Sequence, residues 1–230
     1  MNPEGENMTA ALLEAPIELF TAFDQPALPW SAMHNGIRKF TVDEYEKLVR
    51  FAILTTDDHL ELIEGYLVLK MPISPQHSTS VSKLRRRLDR VLPQAWTSRT
   101  ENPVRLDDSS PEPDYAVFRG SDDEYDRRHP GALDIALLVE VADSSLEGDR
   151  TDKARIYARN GIAEYWIVNL EELQIEVYTE PQPQAEVPHY SKRVDYKFGE
   201  KVPFRLEGRV LAEFAVEGVF PKADPSREGE

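Results

Sequence analysis

The chain carries Ser110-Pro-Glu-Pro-Asp114, then Leu137-Leu-Val-Glu140-Val141, then Asp149-Arg-Thr-Asp-Lys153. The first stretch places an acid at the head of an apolar run, the second places an acid inside one, and the third places a lysine on a following helix. Two carboxylates that converge can hold Mg²⁺, because hard cations prefer oxygen ligands. A lysine beside them can orient a water molecule or offset charge that develops on phosphate. Together these stretches indicate metal-dependent phosphodiester hydrolysis.

Length and composition predict one sizeable domain with irregular ends. At 230 residues the chain is long enough for a well-buried core, while its 17 prolines and 40% hydrophobic fraction point to solvated termini. Residues 1–36 hold five acidic residues and no lysine or arginine, so we expect an extended, proline-containing N-terminal arm that a partner would order. Residues 37–220 form the predicted domain, and residues 221–230 form a predicted C-terminal tail.

Several classes of protein are excluded by the sequence. The chain has no cysteine, so it has neither disulfides nor thiolate metal sites. No segment is apolar enough to span a bilayer, and the start does not resemble a signal peptide, so a cytoplasmic protein is expected. The net charge of −15 argues against tight non-specific DNA binding, which depends on basic residues.

Three helices are predicted. The first covers residues 41–51 and opens with a capping box, Thr41-Val-Asp-Glu44. The second is amphipathic over residues 81–91, and Pro93 ends it. The third runs over residues 149–160, with a glycine directly after it in the position that ends helices.

Strands account for most of the remaining apolar runs. Residues 60–71 predict a β-hairpin, and residues 135–141 predict a central strand buried on both faces. The segment at 174–178 returns antiparallel to 165–168, the last two strands pair with each other, and loops cover residues 120–131 and 181–188. The single strands are expected at residues 104–106, 115–118, 135–141, 165–168, 174–178, 190–198 and 202–206. This order predicts an α/β (mixed α+β) domain with a central mixed β-sheet flanked by helices.

These residues also carry a family resemblance. Glu61-Leu-Ile-Glu-Gly65, Pro113-Asp114, Leu138-Val-Glu140-Val141 and Asp149-x-x-x-Lys153-x-x-x-Tyr157 resemble the Uma-two family of restriction endonucleases, as does Asn160-Gly-Ile-Ala-Glu164-Tyr-Trp-Ile-Val168. That family is a branch of the PD-(D/E)XK nuclease superfamily. The resemblance covers roughly residues 38–220. It implies a restriction-endonuclease-like fold, a Mg²⁺ site that could also take Mn²⁺, and a nuclease-like reaction.

The resemblance also implies roles for three residues. Asp114 and Glu140 match the metal-binding acids, with the Val141 carbonyl as a further ligand. The usual superfamily lysine lies two residues after the second acid, where this chain has Ala142. Lys153 matches the lysine that this branch carries on the next helix, and it would orient water or stabilise the charge on phosphorus.

Further candidates surround these three. Glu61 would be a third acid near the metal, His77 a substrate contact, and Asp149 a helix N-cap, a partner of Lys153, or both. Tyr157 is expected to pack rather than to take part in chemistry, and Tyr165 and Trp166 are expected in the core or a dimer interface. The basic helix offers either a solvated face or phosphate contacts, through Lys83, Arg86, Arg87 and Arg90, with Arg85 beside them.

Three functional hypotheses remain open at this stage. The first is a Mg²⁺-dependent endonuclease that cuts nucleic acid, preferably DNA, as a homodimer. The second is a non-catalytic binding or regulatory module that retains the nuclease fold, which the acidic composition and the displaced lysine favour. The third is an oligomeric protein whose acidic arm docks a partner.

Overall fold

The computed structural model describes residues 36–222. The predicted arm at residues 1–36 lies outside the described residues except for Gly36, and the predicted tail lies outside them except for residues 221 and 222. Contacts between residues divide the chain between Arg38 and Lys39, and the fold below belongs to the second of these two units.

The second unit alternates short helices with strands. The helices are α1 (Val42–Arg50), α2 (Pro75–Leu88), α3 (Leu146–Gly148) and α4 (Ala154–Arg159), with a π-helical turn at Asp149–Lys153 between the last two. The strands are β1 (Leu60–Ile63), β2 (Tyr66–Leu69), β3 (Trp96–Arg99), β4 (Tyr115–Arg119), β5 (Ile135–Ala142), β6 (Glu164–Asn169), β7 (Gln174–Gln182), β8 (His189–Lys197), β9 (Lys201–Leu206) and β10 (Arg209–Ala215).

A six-stranded mixed sheet forms the centre, in the spatial order β3-β4-β5-β6-β7-β8. All neighbouring strands are antiparallel except β5 and β6, which are parallel. A parallel pair requires a crossover connection, and the segment from α3 through the π-helical turn to α4 supplies it. This sheet confirms the predicted fold class.

The strand register aligns two glutamates. Glu140 of β5 pairs with Ile167 of β6, and Ile167 pairs with Glu176 of β7. The two glutamates therefore stand in one row across the sheet, two strand spacings or roughly 10 Å apart.

Helices cover both faces of the sheet. On one face, Leu84 of α2 and Phe204 of the β9–β10 hairpin share a buried core with Trp166. On the other face, Ile156 of α4 shares a second core with Tyr165. The prediction that Tyr165 and Trp166 lie in the core is confirmed, since both side chains are fully buried.

Two hairpins stand outside the central sheet. The predicted hairpin at residues 60–71 is confirmed, and its turn residues Glu64 and Gly65 both have positive φ angles, 49° and 84°, as a two-residue hairpin turn requires. The predicted pairing of residues 190–198 with 202–206 is wrong. A turn after Leu206 instead pairs β9 with β10, and β8 pairs with β7.

Two further predictions fail for local reasons. Residues 104–106 do not form a strand, because the amides of Val104 and Leu106 donate to the carbonyls of Pro111 and Ser109 in the same loop. One edge strand of the central sheet, β3, is not predicted by sequence analysis. The loop expected at residues 181–188 begins later, because β7 continues to Gln182.

Helix ends also differ from expectation. Helix α2 ends at Leu88 instead of at Pro93, and the side chain of the next residue, Asp89, accepts hydrogen bonds from Tyr115 Oη at 2.8 Å and Ser98 Oγ at 2.7 Å. The helix predicted at 149–160 includes the π-helical turn and starts earlier, at Leu146. Within residues 36–222, no helix combines the length and the apolar character that a membrane crossing requires.

Candidate active site

Asp114 lies directly before β4 and connects three elements. Its Oδ2 accepts a hydrogen bond of 2.6 Å from the amide of Val141 in β5 and lies 3.0 Å from Nε2 of His77 in α2. The side chain is only 14% exposed. Val141 directly follows Glu140 in the chain. Its amide therefore holds the Asp114 carboxylate beside the second predicted acid.

Glu140 is buried inside β5, with 3% of its surface exposed. Strand alternation turns its carboxylate away from the core of Val139 and toward the crossover helices. There Oε1 accepts a hydrogen bond of 2.6 Å from the hydroxyl of Tyr157 and lies 3.1 Å from Lys153 Nζ. Burial raises the pKa of Glu140 well above its ordinary value, and the charges of Asp149 and Asp114 raise it further, while Lys153 lowers it.

Lys153 projects from the π-helical turn into a group of three carboxylates. Its Nζ lies 3.1 Å from Glu140, 3.7 Å from Glu61 and 3.9 Å from Asp149. Burial lowers the pKa of Lys153, but the surrounding carboxylates outweigh this effect and hold the pKa above its ordinary value. We call these four residues the Lys153 cluster.

The remaining acids of the Lys153 cluster are held by neighbouring groups. Asp149 accepts a hydrogen bond of 2.7 Å from Ser145 Oγ, and burial raises its pKa. It follows α3 within a continuous helical segment, so of its two predicted roles the structure places it as a partner of Lys153 and not as an N-cap. Glu61 of β1 accepts a hydrogen bond of 3.1 Å from the amide of Glu112.

His77 lies in the first turn of α2, which Ser74 caps. Burial lowers the pKa of His77, but the hydrogen bond and charge of Asp114, together with the charges of Glu101 and Asp143, raise it above its ordinary value overall. Its Nδ1 is buried and has no hydrogen-bond partner among residues 36–222. All six acidic, lysine and histidine candidates therefore converge in one region, although their predicted chemical roles stay predictions.

The predicted basic helix face is split by the fold. Lys83 Nζ donates to the carbonyl of Phe220, and Arg87 donates to the carbonyl of Lys83 at 3.0 Å, so both side chains turn toward the end of the domain. Arg86 and Arg90 stay exposed and line a shallow groove of about 450 Å³ together with Arg85. Only this second group is open to a ligand.

The oxygen donors at Asp114 and Glu140 fit a hard divalent cation. Among residues 36–222, no group of three or more histidine or carboxylate side chains is arranged to hold a metal ion by itself. Mg²⁺ is usually held by one or two carboxylates and completes its coordination with water and substrate phosphate. The pair Asp114 and Glu140 offers the carboxylate oxygens for that smaller requirement.

Two contacts of the site escape sequence analysis. Tyr157 is predicted to pack only, yet its hydroxyl binds Glu140 directly. Its position four residues after Lys153 on one helical face is the signal that could have indicated this role. The amide of Val141 is the second missed contact, and no side-chain pattern identifies a backbone donor.

Comparison with known proteins identifies the family and supports the fold. The profile of the Uma2 family, described as "Putative restriction endonuclease", matches residues 42–204. A crystal structure described as "a putative nuclease belonging to DUF820", from Anabaena variabilis, has a similar fold, with a TM-score of 0.57 and 20% sequence identity. The similarity covers 79% of this chain and 97% of that one. No curated protein matches the sequence. The profile match spans most of the chain, which therefore belongs to the Uma-two (Uma2) family.

Proposed function

We propose that this protein is a metal-dependent endonuclease that hydrolyses phosphodiester bonds in nucleic acid, with DNA as the preferred substrate. The observation that carries the proposal is Glu140, a carboxylate buried in an apolar strand within 3.1 Å of Lys153 and next to the amide that binds Asp114. Buried charges of this kind are costly, and strongly perturbed carboxylates cluster at functional sites. Membership of the Uma-two family supports the same reading.

Asp114 and Glu140 would hold Mg²⁺, or Mn²⁺ in its place. A metal in such a site polarises a phosphoryl oxygen and lowers the pKa of an attacking water. The hydroxyl of Tyr157 and the amide of Val141 each fix one of the two carboxylates, so the pair keeps its orientation. Positioned donors and acceptors of this kind lower reaction barriers because they need no rearrangement during the reaction.

The ammonium group of Lys153 would stabilise charge and not accept a proton. Three carboxylates keep its pKa above the ordinary value, so the side chain stays protonated at neutral pH. A protonated lysine can donate a hydrogen bond to a water molecule or to a phosphoryl oxygen that gains negative charge. His77 would support this arrangement by holding Asp114 from the other side.

A homodimer is part of the proposal, since two strands of a duplex are related by pseudo-two-fold symmetry. Arg86 and Arg90 would contact backbone phosphates, because both are exposed on one groove. Each lost phosphate contact should reduce the salt dependence of duplex binding by roughly one unit in the slope of log K against log salt.

Cleavage by a matched pair of variants tests the proposal. Wild type, Glu140→Gln and Glu147→Gln are incubated with supercoiled plasmid, single-stranded DNA and RNA, in Mg²⁺ or Mn²⁺. Glu147 is exposed on α3 and serves as the control. We expect Glu140→Gln to lose activity by more than about 100-fold, the upper range for loss of a supporting group at a metal site, with Glu147→Gln near wild type. A Glu140→Gln variant that cleaves like wild type would show the assignment to be wrong.

A second candidate function is a non-catalytic binding or regulatory module that retains the nuclease fold. It is favoured by the net charge of −15 and by the engagement of Lys153 with three carboxylates. Mg²⁺ binding in a calorimeter, without cleavage of any of the three substrates, would support this candidate over the nuclease.

A further inference from the structure

A second cavity lies beside the Lys153 cluster and is lined by none of its residues. Its volume is about 720 Å³, within the roughly 300–1,000 Å³ that small-molecule sites occupy. Helix α1 forms one wall, and the loops that precede β4 and β5 form the others. The residues used below all line it: Tyr45, Arg99, Ser110, Tyr125, Arg127 and His129.

Two polar groups in this cavity wall lack partners. Ser110 is 1% exposed, and neither its Oγ nor Nδ1 of His129 has a hydrogen-bond partner among residues 36–222. Buried polar groups are almost always hydrogen-bonded, because leaving them unpaired costs free energy. Since no hydrogen bond holds these side chains, a change of rotamer toward the cavity sacrifices none. Both groups are therefore available to form a hydrogen bond with a ligand in the cavity.

The cavity also presents cationic charge, in contrast to the acidic chain as a whole. Five arginines and four carboxylates line it. Arg127 is exposed and has no ion pair among the described residues, and Arg99 has only a 3.5 Å pair with an exposed aspartate, Asp122. Arginine guanidinium groups bind phosphate oxygens through paired N–H donors. An anionic group is the natural partner for these two side chains.

Aromatic rings and neutral polar groups complete the wall. The guanidinium of Arg128 lies over the ring of Tyr125 at 4.6 Å, and that of Arg99 lies 5.8 Å from the same ring. Burial lowers the pKa of His129, which keeps the imidazole neutral and able to accept as well as donate. Such a combination suits a ligand that joins an anionic end to a flat, polar ring.

We propose that this cavity binds a nucleotide, with Arg99 and Arg127 on its phosphate and with Ser110 and His129 on its sugar or base. The choice of a nucleotide over another phosphate ester rests on the proposed function. The bound unit is either a free nucleotide or one nucleotide of a nucleic-acid strand.

The cavity is connected to the Lys153 cluster by a single residue. Glu112 lines the cavity, and its amide donates to Glu61 Oε2 at 3.1 Å. The other oxygen of Glu61 lies 3.7 Å from Lys153. One hydrogen bond therefore joins Glu112 in the cavity wall to the Lys153 cluster.

Calorimetric titration of the full chain in EDTA tests the inference without requiring cleavage. The probes are the four deoxynucleoside monophosphates and inorganic phosphate, added to wild type, Ser110→Ala and Ser80→Ala. Ser80 is the matched control, because it is also buried with an unpartnered hydroxyl but does not line the cavity. Removing an unpartnered hydroxyl breaks no hydrogen bond, so both alanine variants should keep the melting temperature of wild type or exceed it.

We expect at least one nucleoside monophosphate to bind more than about tenfold more tightly than phosphate, and Ser110→Ala to weaken that binding about tenfold. Ser80→Ala should bind like wild type. Equal affinity for phosphate and every nucleotide, or wild-type binding by Ser110→Ala, would overturn the inference. Because the readout is binding in the absence of metal, a lack of nuclease activity would leave this result unaffected.

A short single-stranded oligonucleotide then separates the two sources of the ligand. If Ser110→Ala weakens oligonucleotide binding as well, the cavity takes a unit of the strand. If it weakens only the monophosphate, the cavity takes the free nucleotide.

Discussion

The sheet buries carboxylates in two clusters with opposite electrostatic surroundings. In the Lys153 cluster, three carboxylates face one ammonium group, and the pKa values of Glu140 and Asp149 are raised. In the second cluster, Glu176 faces two arginines. Burial alone would raise the pKa of Glu176, but its hydrogen bonds and charged neighbours lower it to about 2.

The second cluster is saturated with donors. Glu176 is completely buried, and its carboxylate accepts hydrogen bonds from Arg150 at 3.1 Å, Tyr178 at 2.8 Å and Asn169 at 3.0 Å. It also pairs with Arg193 at 3.2 Å. We call the set the Glu176 cluster, made up of Glu176, Arg150, Asn169, Gln174, Tyr178 and Arg193.

The charge around each buried acid, and not its burial, distinguishes Glu140 from Glu176. Glu140 and Glu176 occupy the same row of the sheet, so burial in strand context does not distinguish them. What differs is the charge that surrounds each carboxylate, since Glu140 shares one lysine with two other carboxylates, whereas Glu176 contacts two arginines. An excess of buried acid is costly for folding and is expected where a cation or substrate completes the site.

We expect the largest loss of stability when the buried carboxylate of the Glu176 cluster is removed. Glu176→Gln leaves Arg150 and Arg193 without their buried carboxylate, and loss of one partner from a buried ion pair costs about 3–5 kcal/mol. Urea denaturation at pH 7 measures the loss. The control is Glu172→Gln, which also removes a partner of Arg150, at 2.9 Å, but is 48% exposed and should cost less than about 1 kcal/mol. Equal losses in the two variants would contradict the claim that the buried carboxylate of Glu176 contributes more than an exposed partner of Arg150.

The pH dependence of the same variant gives the next largest effect. The folded-state pKa of Glu176, about 2, lies below its ordinary value of 4.5. The ionised group therefore stabilises the fold fully above pH 4.5 and loses this contribution as the pH falls toward 2, which corresponds to about 3 kcal/mol. We expect the stability gap between wild type and Glu176→Gln to shrink over this range. A gap that stays constant down to the lowest pH at which both fold would refute this account.

The sequence predicts much of one cluster and none of the other. Glu140 stands out because an acid interrupts an apolar run, and Lys153 follows on a helix with Asp149 four residues earlier. Glu176 lies in an alternating run that also suits a half-exposed strand. Its burial depends on Arg150 and Arg193, which come from two other elements, and such long-range pairing leaves no local pattern.

The same limit applies to the fold. Strand β5 is predictable because seven of its eight residues are apolar and the strand is buried on both faces. Strand β3 is not, because Trp-Thr-Ser-Arg at residues 96–99 has no apolar alternation and pairs on one side only. Residues 104–106 look more like a strand, yet irregular loop hydrogen bonds hold them in the core.

Each cluster contains one tyrosine that donates to its buried glutamate, and removing either hydroxyl should have a smaller effect on stability. Tyr157 donates to Glu140 at 2.6 Å, and Tyr178 donates to Glu176 at 2.8 Å. Tyr157→Phe leaves Glu140 with Lys153 as its remaining described partner, so we expect a loss of about 2 kcal/mol, within the range for a buried acceptor that loses a donor. Tyr178→Phe leaves Glu176 with several donors and should cost about 1 kcal/mol or less. A larger loss in Tyr178→Phe, measured by urea denaturation, would reverse the proposed order of the clusters.

The smallest expected effect is the response of each cluster to Mg²⁺. A divalent cation is attracted to the three carboxylates around Lys153 and repelled by the two arginines around Glu176. A ligand that binds only the folded state at roughly ten times its Kd stabilises that state by about 1.4 kcal/mol. Thermal melting in Mg²⁺ and in EDTA, at matched ionic strength, should show this gain in wild type and in Glu176→Gln, but not in Glu140→Gln. If Glu140→Gln kept the response and Glu176→Gln lost it, the cation would bind at the Glu176 cluster and not at the Lys153 cluster.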